Sequence, residues 1–467
     1  MSPNRLFGTD GIRAPFGDHP LDQPTVTALG RALAARLARA PRSPDTGIPS
    51  VVLGGDTRFS TPEICSWLAA GLTAGGARVR FLGTVPTPAV AFVTRSQGAS
   101  AGIAVSASHN PWPDNGIKLI GADGFKWDVA DEAALERDLT SDHEASTDGA
   151  SADGQEGAPA PRTLEPESDL VAGYVEWLSA SLGGERPLAG LRIAIDAANG
   201  AASAFAGPLF ERLGAETVVL FAAPDGRNIN LDCGSTQPRT LCREVRAHGC
   251  DMGVAFDGDA DRALFVDGDG ELRDGDATLF LWARELARQG LLQPPEIVAT
   301  SMSNLGLERA LAAEGIDVVR CGVGDRLVVE TLRARGLLLG GEQSGHIVHL
   351  GLSTTGDGLL TALEVAAIVK RSGTSLAALA APFRRFPQIL KNLRVSSKPP
   401  LADLPRVRNV ASRIERQLGS EGRLVLRYSG TEPLARVMIE GPDQATIEAL
   451  ADEVLSAIAE DLGEAGA

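Results

Sequence analysis

Three carboxylates stand at alternate positions in Asp257-Gly258-Asp259-Ala260-Asp261-Arg262, directly after the apolar run Met252 to Phe256. Alternate residues of extended chain point the same way, which lets the three acids converge. Converging anions repel unless a cation lies between them, and an all-oxygen ligand set favours a hard ion such as Mg2+. A calcium loop of the EF-hand kind does not fit. Counted from Asp257 it needs Gly at position 6 and Glu at position 12, where the chain has Arg262 and Gly268. A solvated acidic turn is the competing reading.

Three further loops carry reactive or anion-binding side chains. Ser108 lies beside His109 and Asn110 in a stretch punctuated by Pro111, Pro113 and Gly116. A serine acts as a covalent carrier when its hydroxyl is activated or a charged adduct on it is stabilised. No Gly-x-Ser-x-Gly elbow surrounds it, which counts against a hydrolase triad. A phosphoserine here would need a cation, which the acidic triplet can supply, and Lys118 is placed to donate a proton or contact phosphate. A structural turn with a capping serine is the alternative. In Glu342-Gln343-Ser344-Gly345-His346 a carboxylate and a hydroxyl two residues apart suit neighbouring sugar hydroxyls. His346 is either an acid/base or a satisfied core histidine. Arg427-Tyr428-Ser429-Gly430-Thr431-Glu432-Pro433, followed by Arg436, combines arginine, two hydroxyls and open backbone, the makings of a phosphate cradle. An exposed hairpin turn is its competitor. Neither a Walker sequence nor a strand-to-helix Gly-x-Gly-x-x-Gly occurs, so nucleotide use has no support.

The elements that must position these loops read as alternating strands and helices. Val51-Val52-Leu53, Leu191 to Ile195, Thr217 to Phe221, Ile297 to Thr300 and Val318 to Cys321 are short apolar runs of buried-strand type. Thr61 to Ala74 reads as a helix with a Thr cap and Pro62 at its first position. Such alternation predicts α/β layers with parallel or mixed sheets. A loose echo runs through the chain. Arg95-Ser-Gln-Gly98, Arg246-Ala-His-Gly249 and Arg333-Ala-Arg-Gly336 each lead into an apolar strand that ends in one of the polar loops. Open α/β sheets bind ligands at the carboxyl ends of their strands, so three such units can aim three loops at one cleft. Arg-x-x-Gly is also a common helix ending. Residues 140–168 are rich in small, acidic and Pro residues, which predicts a flexible insertion or linker. From Gln388 the pattern changes to strand (Ile389 to Val395), helix (Leu401 to Leu418), two strands (Leu424 to Tyr428, Ala435 to Glu440) and helix (Gln444 to Leu462). That order predicts a smaller C-terminal α+β domain.

Composition bounds the partners. The chain of 467 residues, 43% hydrophobic and 22% charged, has the profile of a globular protein with about three domains. A formal net charge of −16 argues against nucleic acid or an anionic membrane as partner. No run of apolar residues is long enough to span a bilayer. Five cysteines without a Cys-x-x-Cys pair suit free thiols in a reducing cytoplasm.

Taken together, the loops resemble those of the α-D-phosphohexomutases. That family carries a phosphoserine in Ser/Thr-Ala-Ser-His-Asn-Pro, a metal loop Asp-Gly-Asp-x-Asp-Arg, a sugar loop Gly-Glu-x-Ser-Gly-His and a phosphate loop Arg-x-Ser-Gly-Thr-Glu-Pro. All four stand here in order, across essentially the whole chain. Phe7-Gly-Thr-Asp-Gly-Ile-Arg13, Asn228-Ile-Asn230 followed by Cys233-Gly-Ser-Thr236, Gln343, and Ser353 to Leu363 are similar to the branch acting on hexosamine phosphates. Departures are small. Ala14 replaces a usual Gly, Trp112-Pro113 replaces a usual aromatic pair, and the 140–168 segment is longer than usual.

The resemblance implies four domains around a central cleft, three of them similar α/β/α units with mixed sheets. Their expected extents are 1–165, 169–273, 274–386 and 387–467, the last domain swinging over the cleft. It implies a phosphate carried on Ser108 rather than Ser106, since Ser108 is the serine beside His109 in the matched motif. Alternation along a strand turns both serines the same way, so local geometry does not decide. It further implies one Mg2+ held by Asp257, Asp259, Asp261 and the Ser108 phosphate. Arg13, His109, Lys118, Arg262 and His346 would assist with protons and charge. Glu342 and Ser344 would hold the sugar, and Arg427, Ser429, Gly430, Thr431 and Arg436 its phosphate. A bisphosphorylated sugar would serve as activator, and the protein would be a cytoplasmic monomer or homodimer. The rivals are another hexose phosphate on the same scaffold and a non-catalytic sugar-phosphate binder.

Overall fold

The computed structural model describes residues 6–8, 10–39, 47–148, 163–429 and 433–463. The first sheet contains β1 (Ile12–Pro15), β2 (Ser50–Gly55), β3 (Arg78–Thr84), β4 (Ala101–Val105) and β5 (Asp114–Gly121), in the order β1-β5-β4-β2-β3. The second contains β6 (Arg192–Asp196), β7 (Glu216–Leu220), β8 (Met252–Phe256), β9 (Ala263–Asp267) and β10 (Leu272–Arg273), ordered β10-β9-β8-β6-β7. The third has β11 (Glu296–Thr300), β12 (Asp317–Cys321), β13 (Leu339–Gly341) and β14 (Ile347–His349), ordered β12-β11-β13-β14.

These sheets share one plan. One strand lies between two parallel neighbours, and one of those neighbours turns back into an antiparallel partner: β2 lies between β3 and β4, β6 between β7 and β8, and β11 between β12 and β13. β4, β8 and β13 then pair antiparallel with β5, β9 and β14. The chemistry-bearing loops leave the carboxyl ends of β4, β8 and β13, equivalent strands in the three sheets. The echo seen in the sequence is therefore structural. Its glycines Gly98, Gly249 and Gly336 all have positive φ (60°, 57° and 66°), a left-handed stop that lets a helix turn into the next strand.

The helices are α1 (Gln23–Arg39), α2 (Thr61–Ala74), α3 (Thr87–Ser96), α4 (Val129–Asp148), α5 (Ser168–Ser181), α6 (Ala206–Arg212), α7 (Arg239–His248), α8 (Gly275–Arg288), α9 (Leu305–Ala313), α10 (Asp325–Arg335), α11 (Gly358–Ser372) and α12 (Leu376–Ala380). The last unit holds α13 (Pro405–Leu418), α14 (Gln444–Leu462) and a three-stranded sheet of β15 (Gln388–Arg394), β16 (Arg423–Tyr428) and β17 (Leu434–Glu440), with β17 central. Parallel strands covered on both faces read as near-continuous apolar runs, and Val51, Val52 and Leu53 of β2 are accordingly fully buried. One core cluster runs through all three α/β units, including Val90, Phe256 and Leu359, while the last unit has a core of its own around Val437, Ile447 and Val454.

Several expectations are corrected. α4 continues to Asp148, so the first nine residues of the expected insertion are helical. At its other end Leu164 packs on a separate core cluster of the first unit around Ile12, Leu68 and Ile117, and Glu167 accepts Arg80 Nε at 3.1 Å while its N–H bonds Phe81. Only 149–162 of that segment lies outside the described residues. The N-cap of α2 is Ser60, with no side-chain cap bond; Thr61 instead donates to Asp56. The helix expected over Leu401 to Leu418 is interrupted. Pro405 has no N–H and restrains Leu404, so a single turn at Leu401–Asp403 is followed by α13 starting at Pro405.

Candidate functional site

β8 ends at Phe256, and the chain turns at once, with Ala260 in the left-handed region at φ 54°. The three aspartates thus converge through a turn, not through extended chain. Each offers an oxygen within 4.8 Å of the others, and all are buried. Asp259 Oδ1 and Asp261 Oδ1 are buried without a hydrogen-bond partner among the described residues. Burial and the charges of Asp261 and Asp259 push Asp257 well above the usual carboxylate range. Such a cluster, with orphaned oxygens and one acid driven towards protonation, fits a hard divalent cation.

The neighbouring cations come from other elements. Lys118 of β5 sends Nζ to Asp259 at 2.7 Å and Asp261 at 3.3 Å, and lies 3.8 Å from Asp10. Its burial would favour the neutral amine, but Asp10, Asp259 and Asp261 outweigh this and hold it charged. For Asp261, burial is outweighed by Lys118, His346 and Arg262, which keep it ionised. Arg262 Nε stands 3.8 Å from Asp257 and 3.7 Å from Asp261.

Ser108 meets this cluster from the first unit. Its Oγ donates to Asp257 Oδ2 at 2.5 Å and lies 3.4 Å from His109 Nδ1. β4 has already ended at Val105, and Ser108 adopts φ 52°, so strand alternation does not relate it to Ser106. Ser106 is committed to structure: its hydroxyl donates to Asp56 at 2.6 Å and accepts the Ser108 N–H at 2.9 Å. His109 is half-buried; burial, then the charges of Arg262 and Arg13, lower its pKa to about 4, leaving it neutral near pH 7.

From the third unit, His346 is buried with Nδ1 3.6 Å from Asp261, while Nε2 accepts the Gly356 N–H at 3.1 Å. That bond places the ring proton on Nδ1, facing the carboxylate. Glu342 Oε1 accepts from Gly324 N at 3.0 Å, and Ser344 Oγ lies 3.4 Å from Glu342 Oε2. Gln343 does not join them; its amide turns to Asp276 at 3.2 Å.

In the last unit Arg427 and Arg436 face each other across β16 and β17. Arg436 Nη2 donates to Ser429 Oγ at 3.2 Å, and Arg427 Nε is buried without a hydrogen-bond partner among the described residues. Burial and the Arg436 charge lower the Arg427 pKa. Two adjacent guanidinium groups make a site that an anion would stabilise. Gly430 and Thr431 lie outside the described residues.

Sequence reasoning missed the residues that link the units. Lys126 bridges Asp10 and Asp325, and Asp10 also pairs with Arg13. Asp325 opens α10 and lies 3.9 Å from His346 Nε2. Asp10 stood inside a quoted motif; Lys126 and Asp325 had no local signal.

Family models match the four units in turn: phosphoglucomutase/phosphomannomutase α/β/α domain I over 4–146, domain II over 172–270, domain III over 274–386, and the C-terminal domain over 390–457. A phosphoglucosamine mutase of Koribacter versatilis is 44% identical over 98% of this chain and 97% of its own. One from Gluconacetobacter diazotrophicus is 45% identical, covering 98% of both. Among solved structures, a phosphoglucomutase/phosphomannomutase family protein from Burkholderia thailandensis superposes with TM-score 0.79 at 26% identity, covering 98% of this chain and 97% of that one. The N-acetylphosphoglucosamine mutase of Aspergillus fumigatus, solved with GlcNAc-6P and magnesium, shares the fold at TM-score 0.65 and 19% identity, covering 98% and 96%.

Proposed function

The chain belongs to the phosphoglucomutase/phosphomannomutase family, and from that premise we propose that it is a phosphoglucosamine mutase, an isomerase interconverting glucosamine 6-phosphate and glucosamine 1-phosphate. The observation that carries the reading is the Ser108 hydroxyl, 2.5 Å from a buried triad of carboxylates, in a chain whose full-length relatives bear that name.

In this reading Ser108 carries the phosphate, hands it to the free oxygen of the bound sugar phosphate, and recovers the other phosphate from the bisphosphorylated sugar after it has turned over. Such transfer depends mostly on positioning and electrostatics. Asp257, Asp259 and Asp261 would hold Mg2+, which when bound would offset charge on the transferring group. Lys118, bonded to Asp259 and Asp261, is charged and able to donate a proton, and His109, beside Ser108, is neutral and able to accept one. Arg13 and Arg262 balance negative charge. Glu342 and Ser344 hold sugar hydroxyls, and Arg427, Arg436 and Ser429, with Gly430 and Thr431, take the non-reacting phosphate. A bisphosphorylated sugar would rephosphorylate enzyme that has lost its phosphate.

The five cysteines are unpaired, and no helix of the described residues is long and apolar enough to cross a membrane. We place the protein in the cytoplasm, where this substrate would feed amino-sugar and cell-wall precursor synthesis. The test is turnover of glucosamine 6-phosphate by the purified protein, with and without a hexose bisphosphate, beside glucose and mannose phosphates. Faster turnover of glucose or mannose phosphate would reassign the substrate. Full activity after thorough chelation would remove the metal.

A further inference from the structure

We propose that Asn230, on a loop of the second unit, is a positioning residue that holds the Ser108 loop in register with the Asp257, Asp259 and Asp261 carboxylates. The inference rests on the phosphoserine reading above and adds to it a tie between units. Asn230 Nδ2 donates to the carbonyl oxygens of Ser108 at 2.9 Å and Asn110 at 3.0 Å. Arg58 Nη2 donates to the same two oxygens at 3.0 and 2.9 Å. Arg58 is fully buried, and its other nitrogens bond Asp56, Pro111 and Asp114 of the first unit. Arg58 thus binds the loop to its own sheet, and Asn230 binds it to the sheet that carries the aspartates.

Asn230 is itself fixed. Its N–H donates to Ala198 at 2.9 Å, and its φ of 58° lies where asparagine is tolerated. Four and five residues on, the N–H groups of Gly234 and Ser235 bond Asp196 Oδ2 and the Phe256 carbonyl, each at 2.8 Å. Phe256 directly precedes Asp257. The amide that grips the serine loop and the acids that face the serine are therefore anchored to the same strand end. Gly258 presses on the same point: a Cβ there would meet the Ser108 carbonyl oxygen at 2.5 Å and Asn230 Nδ2 at 2.9 Å. The left-handed Ser108 is an unfavourable conformation for a serine and persists where its surroundings over-determine it. A doubly gripped carbonyl does so. Transfer that depends on alignment loses roughly a hundredfold for about 1 Å of misplacement.

Asn230→Asp is isosteric but replaces the donor with an acceptor facing two carbonyls. Asn230→Gly removes the side chain without strain at positive φ. Both leave the carbonyls with their Arg58 donors, so both variants should fold with a Tm near that of the parent. Expected for Asn230→Asp is a fall in kcat of about tenfold or more with KM within about twofold. Phosphate incorporation on Ser108 from a hexose bisphosphate should slow equally, and calorimetry on the phosphorylated protein should show weaker Mg2+ binding. Asn230→Gly should move in the same direction by less. Parental kcat, phosphorylation rate and Mg2+ affinity in Asn230→Asp would overturn the tie, as would a rise in KM alone or the unfolding of both variants. Activity of the parent tests the functional reading; the ratio of variant to parent tests the tie. The two failures are thus distinct.

Discussion

At the scale of single residues, the two serines of the first loop separate by what their hydroxyls touch. Ser106 is spent on Asp56 and the Ser108 N–H, and Ser108 alone faces the acidic triad. Ser108→Ala should abolish turnover and remove the phosphate found by peptide mass mapping of protein from cells; near-normal activity in that variant would end the phosphoserine mechanism. Arg427 carries a second prediction. It stands beside Arg436 with its Nε lacking a partner among the described residues, so an incoming phosphate would meet unspent donors. Arg427→Ala should weaken substrate by about 2–5 kcal/mol in both reaction directions if the charge pair is desolvated. Ser108 should stay phosphorylated. Equal kinetics for variant and parent in both directions would exclude this loop from the site.

At the scale of elements, buried caps make some helices sensitive to pH. Asp357 caps α11, accepting from Leu360 N at 3.0 Å and from Tyr174 of α5 at 2.8 Å. Burial raises its pKa to about 6. The folded state then holds this proton more tightly than the unfolded chain does. The resulting stability is complete below the ordinary carboxylate pKa and is lost as pH rises through about 6. Asp357→Asn keeps a good cap and cannot ionise. Its stability relative to the parent should therefore rise between pH 4 and pH 7, by up to about 3 kcal/mol. Denaturant melts of both proteins at several pH values would measure it, and a pH-independent difference would refute the assignment. Asp276, raised to about 7 by burial and then by Asp274, acts in the same direction, so the parent curve should not become flat in the variant.

At the scale of the whole molecule, the three α/β units share a core, while the last unit has a core of its own and meets the third through polar contacts. The Leu305 N–H donates to Glu440 at 3.3 Å, Arg423 reaches the Ser303 carbonyl, and Arg309 pairs with Glu421 at 3.0 Å. Under the proposed function such a junction would let the last unit change its angle over the substrate. Between α4 and Thr163, residues 149–162 contain almost no large apolar side chains. Replacing them with a shorter Gly/Ser linker should leave Tm and kcat nearly unchanged, because shortening a loop alters closure entropy only slightly. A large fall in Tm would mean that the segment packs as structure.

The sequence by itself determined the loops, their order, and the alternation of strands and helices that carries them. Reactive side chains at fixed spacing, apolar runs and Gly stops are all local properties. It also placed the last unit as a separate α+β body, since its order of elements differs from the three before it. Local pattern misled where a neighbour overrode it. Pro405 cut a helix that periodicity had joined, and turns with left-handed residues replaced the strand alternation expected at Ser108 and Asp257. The matched motif already singled out Ser108; that its hydroxyl meets Asp257, and which residues link the units, only the tertiary structure decided. Lys126 reaches Asp325 across 199 positions, and Asn230 reaches Ser108 across 122. No local periodicity encodes contacts between residues so far apart in the chain; they exist because three similar sheets point equivalent strand ends at one place.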